Sequence, residues 1–430
     1  MNVSTRHRSR FALGSIAVGG ALSLLLAGCS SSPNTASAEN ATVTLGIQTE
    51  TNKNKPYASI VAEFEKANPG IKVEIQESPL DSYASSLNTQ LQGGSGPDVF
   101  YGSPGTGGAN SLLTWAEAGY LMPLTGDDWA NKAIPGNADT LFKADDQTWA
   151  LPMDLVPIVA VINQTGYENL GQTFPTTFAD LLSKCAAVKA SGKSIWVLPA
   201  ATPPANGLFA LEVAASDVYK AQPDWNEQRK AGKVTFANSD GWRKALEKIL
   251  EMSKNGCFQD GAVGMTNETS FPLLAQNKGL TAAAPGSAAN EFAQLNKDLK
   301  WTVGAFPANK ADDRMIYASP SNALAINAKA KAPEAAKKLL EFFAKPENQN
   351  KFAELNGTAS LAAQQGSEVT GTYAPLKDFL SDDSKFLPLP NLSWPNGKVY
   401  TALGEGVQGL LTGQASVDDV LKKMDAEWGN

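Results

Sequence analysis

Apolar and polar positions change period several times along the chain, and each change predicts an element. Residues 11–27 are apolar and small, and follow Arg6, Arg8 and Arg10 with no acid among them. A basic start, an apolar centre and small residues before the cut predict a secretory leader over residues 1–28. The run holds Gly14, Gly19 and Gly20, which makes it marginal for a bilayer span. Residues 29–40 follow as a small, polar tether with too little apolar surface to fold. Residues 41–47 (ATVTLGI) read as a β-branched strand, and residues 48–53 (QTETNK) as a polar loop. Ile60, Val61, Phe64 and Ala67 mark one face of a helix stopped by Pro69-Gly70. Residues 71–75 (IKVEI) alternate as a strand. Asp81 is placed to cap a helix whose Tyr83, Leu87 and Leu91 share a face, with Gly93-Gly94 stopping it. Residues 99–101 form a third strand, opening into the glycine-rich loop 102–108. This alternation predicts an α/β domain with parallel strands.

Later periodicity predicts four more helices. Thr176 or Thr177 caps one with Phe178, Leu181, Leu182, Cys185 and Val188 on a stripe. Asp240 caps another, with Ala245, Leu246, Ile249 and Leu250 inward and Gly256 at its end. Pro333 suits the first turn of a third, facing Ala336, Leu339, Leu340 and Phe343 to a core. Ser416 caps the last, whose stripe is Val417, Val420, Leu421, Met424 and Trp428.

Composition narrows the chemistry. At 430 residues the chain is too long for one core, so two or three domains are expected. The net charge is −7, more negative once the leader is removed, and no Lys/Arg block stands out; nucleic acid is not an expected partner. The single histidine, His7, leaves with the leader. That excludes Ser-His-Asp and Cys-His mechanisms and imidazole-based zinc sites, and leaves a two-carboxylate glycosidase open. No cofactor or metal is expected. Gly404-x-Gly406-x-x-Gly409 lacks a preceding strand, and Gly105-x-Gly107-Gly108 lacks a following Lys-Ser/Thr, so neither predicts a nucleotide site. Asn-x-Ser/Thr triplets at Asn163, Asn267, Asn356 and Asn391 read as chance. Cys185 and Cys257 are either a disulfide, as export favours, or two buried thiols.

Leu26-Ala27-Gly28-Cys29 resembles the lipobox of bacterial lipoproteins. The resemblance implies cleavage before Cys29, its lipidation, and an anchor on the extracytoplasmic face of the cell membrane. Phe64-Glu65-Lys66-x-Asn68-Pro69-Gly70-Ile71-Lys72-Val73, Leu91-x-Gly93-x-x-Gly96-Pro97-Asp98-Val99 and Ala118-Gly119-Tyr120-Leu121-x-Pro123-Leu124 resemble successive landmarks of the extracellular solute-binding proteins of carbohydrate ABC importers. Leu151-Pro152-x-Asp154, Pro175-x-Thr177-Phe178, Gly304-Ala305-Phe306-Pro307 and Leu324-Ala325-Ile326 continue the match in order. The resemblance implies the type II periplasmic-binding-protein-like fold, two α/β lobes with mixed, mainly parallel sheets joined by a hinge. The crossover segment 151–162 and the returning strand 323–326 place residues 41–155 plus 320–372 in one lobe, and 156–319 plus 373–430 in the other. The implied function is capture of a sugar or short oligosaccharide, without altering it, by a monomer that delivers it to permease subunits. A polyol, amino sugar or peptide receptor is the alternative, and a secreted glycosidase the more distant one.

A sugar site needs aromatic faces and planar polar groups on loops at strand ends. Glu50 and Asn52 stand on the loop after the first strand, and Tyr101 and Ser103 where the third opens. Asp154 lies in an apolar run, where a lone carboxylate points to a role. Asn206 and Trp394 lie where the resemblance places second-lobe contacts, and the turn residues around Trp394 suggest an exposed face. Many members of the family carry a tryptophan after the glycine equivalent to Gly286; here Ser287-Ala288 follow, which argues against a maltodextrin-like ligand.

Overall fold

Two separate sheets organise the chain in this computed structural model, which describes residues 40–429 apart from 51, 107, 109, 362–367 and 383. The expected leader, Cys29 and all of the tether before Asn40 lie outside the described residues. No helix among the described residues is long and apolar enough to cross a membrane.

The first sheet runs in the order β2 (Ile71–Ser78), β1 (Ala41–Gln48), β3 (Val99–Gly102), β11 (Ala323–Ile326), β6 (Leu151–Pro152). β1 pairs in parallel with β2 and β3, as the βα rhythm predicts, whereas β11 is antiparallel to both β3 and β6. The helix Pro56–Ala67 packs Ile60, Val61 and Phe64 on one side of this sheet with Leu339, Leu340 and Phe343 of Pro333–Ala344. The helix Leu80–Gly93 covers the other side through Tyr83, Leu87 and Leu91. It starts after Pro79 rather than at an Asp81 cap.

The second sheet has the order β12 (Phe386–Leu387), β10 (Ile316–Ser319), β7 (Val156–Asn163), β8 (Thr281–Pro285), with β9 (Trp301–Gly304) also on β7. β7 is central and buried along nearly its whole length, which explains its unbroken apolar sequence. β8, β9 and β10 are all antiparallel to it, and only β10–β12 is parallel. A small hairpin, β4 (Lys143–Ala144) and β5 (Gln147–Thr148), stands apart. The sheets are therefore mixed, with antiparallel pairs in excess of the mainly parallel arrangement expected. At the crossovers the reason is topological: β6 leaves a sheet that β11 re-enters, and β7 enters one that β10 leaves, so each pair runs in opposite senses.

The expected single strand 151–162 is two strands, β6 in one sheet and β7 in the other, broken at residues 153–155. The chain crosses back at residues 320–322, between β10 and β11, and leaves the first lobe again after the helix Pro346–Asn356. It enters the second lobe's core already at Ala359 and Leu361, earlier than the expected residue 372. The cause is a reciprocal backbone pair between Leu155 and Ala359, both bonds 2.8 Å, which zips the third crossover onto the first.

The second lobe's core is aromatic. Trp225, Phe236, Trp242, Trp394 and Trp428 pack with ring centroids 4.7–6.5 Å apart, in the tilted and edge-on arrangements that the ring quadrupole favours. Helix Phe178–Ala190 is capped by Thr177, and Asp240–Lys254 by Ser239 rather than Asp240. Cys185 and Cys257 are joined by a disulfide across 72 residues of sequence. Ser416 and Asp419 form a reciprocal capping box at the start of Val417–Trp428.

Candidate functional site

The three crossovers meet around one carboxylate. Asp154 is fully buried. Its Oδ1 accepts from the backbone N–H of Asn322 at 3.0 Å and from the N–H and hydroxyl of Ser321, both at 3.4 Å. Its Oδ2 accepts from the side-chain amides of Asn322 at 2.7 Å and Asn356 at 2.9 Å. Burial raises its pKa, and the donors from Asn322, Asn356 and Thr358 oppose the rise. Met153 N–H donates to the Asn322 carbonyl at 2.8 Å, so the first and second crossovers are tied by backbone as well. Asp154 is thus fully occupied by the hinge, and the direct ligand contact expected of it is not available in this arrangement.

Asn322 and Asn356 also line a cavity of about 150 Å³ with Gln48, Glu50, Asn52, Tyr57 and Tyr101. These residues come from the end of β1 and the loop after it, the start of the helix Pro56–Ala67, the end of β3 and two crossovers, and they bring Glu50, Asn52 and Tyr101 to one cavity. Glu50 Oε1 accepts from Tyr57 N–H at 2.9 Å at the start of the helix Pro56–Ala67. Its Oε2 is buried and accepts no hydrogen bond from the described residues, and burial raises its pKa, partly offset by the Tyr57 and Ala58 amides and by Lys55. Asn52 Nδ2 donates to the Leu355 carbonyl at 2.8 Å, tying the loop to the end of the helix Pro346–Asn356. Tyr101 and Ser103 hydroxyls lie 3.4 Å apart, and Tyr83 Oη donates to the Tyr101 carbonyl at 2.8 Å, fixing the strand end.

A larger cavity, about 650 Å³, is lined by Asn350, Glu354 and Gly357 on the first-lobe side and by Asn290 and Tyr373 on the second. A Cβ at Gly286 would lie 2.5 Å from the Tyr373 ring. Tyr373 therefore packs directly on the backbone at the end of β8. Its hydroxyl donates to the Gly357 carbonyl at 3.0 Å.

The two expected second-lobe contacts are corrected. Trp394 is fully buried; its ring packs against Phe236, Trp242 and Trp428, and its indole N–H donates to Asn226 Oδ1 at 3.2 Å. The flanking turn residues are real, as Pro390–Ser393 is a short 3₁₀ turn, but the turn points the ring inward. Asn206 is also fully buried. It donates to the Ala200 and Gly404 carbonyls at 3.0 and 3.2 Å, joining the helices Pro203–Ala214 and Gly397–Thr412. A Cβ at Gly404 would sit 2.1 Å from the Pro203 carbonyl oxygen, so the Gly-x-Gly-x-x-Gly run lies inside a helix and serves close helix packing.

The Trp394 segment instead meets the first lobe through backbone. Thr106 N–H donates to the Leu392 carbonyl at 3.2 Å, and Thr106 Oγ1 to the Trp394 carbonyl at 3.4 Å. Gly105 has φ of 75°, and a Cβ there would lie 2.3 Å from the Leu392 oxygen, so this approach requires glycine.

Tyr57, Asn322, Asn356 and Tyr373 were not among the expected site residues. Asn322, in Pro320-Ser321-Asn322, carried a usable signal: polar residues directly before a buried strand at a crossover. Asn356-Gly357 reads locally as an ordinary helix stop, and that reading hides its second role.

Two lobes of α/β structure, three crossovers and a polar cavity beside them define a solute-binding architecture. The family model of the bacterial extracellular solute-binding proteins matches residues 48–350, and the chain belongs to that family. It is 23% identical over 412 residues to the multiple sugar-binding protein of Streptococcus mutans, covering 91% of this chain and 89% of that protein. It is 22% identical over 413 residues to the melibiose/raffinose/stachyose-binding protein MelE of Bacillus subtilis, covering 94% and 93%. A family 1 extracellular solute-binding protein from Bifidobacterium longum subsp. infantis has the same fold, with a TM-score of 0.74 at 22% identity, covering 90% of this chain and 99% of that one.

Proposed function

We propose that the protein is the substrate-binding component of a carbohydrate ABC importer, and that it captures a neutral sugar or short oligosaccharide by closure of two lobes. The observation that carries this reading is the hinge-side cavity, where Glu50, Asn52, Tyr57, Tyr101, Asn322 and Asn356 converge. Its lining combines tyrosine rings with planar amides and a carboxylate, the groups that suit a ring bearing several hydroxyls. Relatives named for sugars support the ligand class. The lobes are discontinuous in sequence, residues 41–155 with 320–358 and residues 156–319 with 359–430. A ligand touching both lobes favours the closed state by its differential affinity.

Cys29 carries the lipid anchor in this reading, and the closed protein hands its ligand to permease subunits. A thermal-shift screen against melibiose, raffinose, stachyose and xylo-oligosaccharides tests the ligand class. A sugar present at 100 times its dissociation constant stabilises the fold by about 2.7 kcal/mol. A flat response to every sugar, with a shift from a peptide or polyamine, would overturn the carbohydrate reading. Mass spectrometry of the membrane-associated protein tests the anchor, and an unmodified Cys29 would refute it.

A further inference from the structure

Asp154 is held away from the cavity, yet two of its partners line it. Four of its donors are N–H groups, and an N–H can only donate. The carboxylate therefore acts here as an acceptor, and it dictates which end of each neighbouring amide faces it. An asparagine amide has a donor end and an acceptor end. With Nδ2 of Asn322 and of Asn356 held on Asp154 Oδ2 at 2.7 and 2.9 Å, and the second Nδ2 hydrogen of Asn322 directed to Ser321 Oγ at 3.1 Å, each amide turns its Oδ1 away from the carboxylate. Asn322 Oδ1 lies 3.4 Å from the Tyr57 hydroxyl, itself at the cavity. Glu50 adds the buried Oε2 that accepts nothing from the described residues. Asn322 and Asn356 thus bring amide oxygens to this wall, beside the Glu50 carboxyl.

We propose that Asp154 is a positioning residue: without touching ligand, it fixes the amides of Asn322 and Asn356 so that this wall presents acceptors to the hydroxyl groups of an uncharged ligand. The proposal rests on the reading that the cavity belongs to the ligand cleft. It also accounts for a carboxylate, rather than an amide, at residue 154. An asparagine there carries its own N–H donors, and the neighbouring amides can then flip at little penalty.

The test has two independent arms on the secreted chain. With asparagine side chains labelled for NMR, the Nδ2 protons of Asn322 and Asn356 exchange with solvent at least about tenfold more slowly than those of exposed asparagines, in the absence of any sugar. Asp154→Asn removes that protection while the backbone amides of β7 keep theirs. Unprotected side-chain amides in the wild type, or protection that persists in D154N, would overturn the positioning role whatever the sugar data show. Calorimetry with raffinose forms the second arm, with about tenfold or greater weakening in D154N expected. Protection lost with raffinose affinity unchanged would overturn the acceptor wall. If D154N does not fold, Asn356→Ser at the half-buried helix end takes its place. It removes one acceptor, is expected to weaken raffinose binding several-fold, and leaves the Asn322 protons protected; unchanged affinity again overturns the wall. Failure of every sugar to bind the wild type, with the exchange pattern as described, supports the positioning and overturns the carbohydrate reading instead.

Discussion

Two buried carboxyls in this molecule are solved in opposite ways. Asp154, on the first crossover, is surrounded by donors from the other two. Glu212, inside the second lobe on the helix Pro203–Ala214, is also buried, and neither of its oxygens has a hydrogen-bond partner among the described residues. Burial raises the pKa of both, but for Glu212 it is the sole cause and the rise is large. A carboxyl without donors avoids the penalty of burial by staying protonated, whereas one supplied with N–H groups can be held as an anion. The contrast marks the hinge as a built polar centre and the second lobe as an apolar core that tolerates an acid.

The largest expected effect isolates the second lobe from the hinge. Replacing Cys185 and Cys257 together by serine removes a constraint over 72 residues and is expected to lower stability by about 4 kcal/mol on the chain-entropy model. Denaturant unfolding measures it, and the Asn322 and Asn356 exchange pattern should stay intact in the surviving native state. A loss of that pattern would mean the two regions are not separate.

Asp154→Ala strikes the hinge itself. It leaves two side-chain amides and the Asn322 N–H without their acceptor, and a loss of about 3 kcal/mol is expected in the same measurement. Alanine tolerated within about 0.5 kcal/mol would show that water replaces the carboxylate and that the hinge is not organised by it.

Glu212→Met is expected to act in the opposite direction, stabilising by about 1–3 kcal/mol at neutral pH by removing an unpartnered polar group from an apolar site. The pH dependence follows from the direction of its shift. The folded state holds the Glu212 proton more tightly than the unfolded chain does. Its contribution is fully present below the unfolded value of about 4.3 and is lost as pH rises through the folded value. Wild-type stability should therefore fall across the range above pH 4.3 through this group, and Glu212→Met should flatten that slope. An unchanged pH profile would show that Glu212 finds a donor in solution.

The smallest effect concerns the contact between the Gly105 loop and Leu392. Gly105→Ala places a Cβ 2.3 Å from the Leu392 oxygen at a positive φ, and about 1–2 kcal/mol of destabilisation is expected. Small-angle scattering of the ligand-free protein checks whether the lobes also separate further; an unchanged radius would confine the effect to the loop.

Local pattern carried much of the fold. Strand β1, the faces of the helices Pro56–Ala67 and Pro333–Ala344, and the Ser416 cap follow from period and capping chemistry within a dozen residues. Glu50, Asn52 and Tyr101, which stand at strand ends in the sequence, line one cavity. Trp394 and Asn206 were misread for a common reason. Composition around a residue reports whether the backbone turns, and says nothing about which way the side chain points.

The sequence by itself marked many of the strands and helices, and showed that no histidine follows His7 and that polar groups gather at the end of the first strand. These are properties of single residues and of neighbours a few positions apart. Only the tertiary structure decided that Asp154, Asn322 and Asn356, up to 202 residues apart, share one hydrogen-bonded centre. It also decided that Asp154 faces the crossovers and not the cavity. Such a centre forms because a buried carboxylate must gather donors from whatever chain passes near it, and which chain passes is set by sheet order and crossover, not by local sequence.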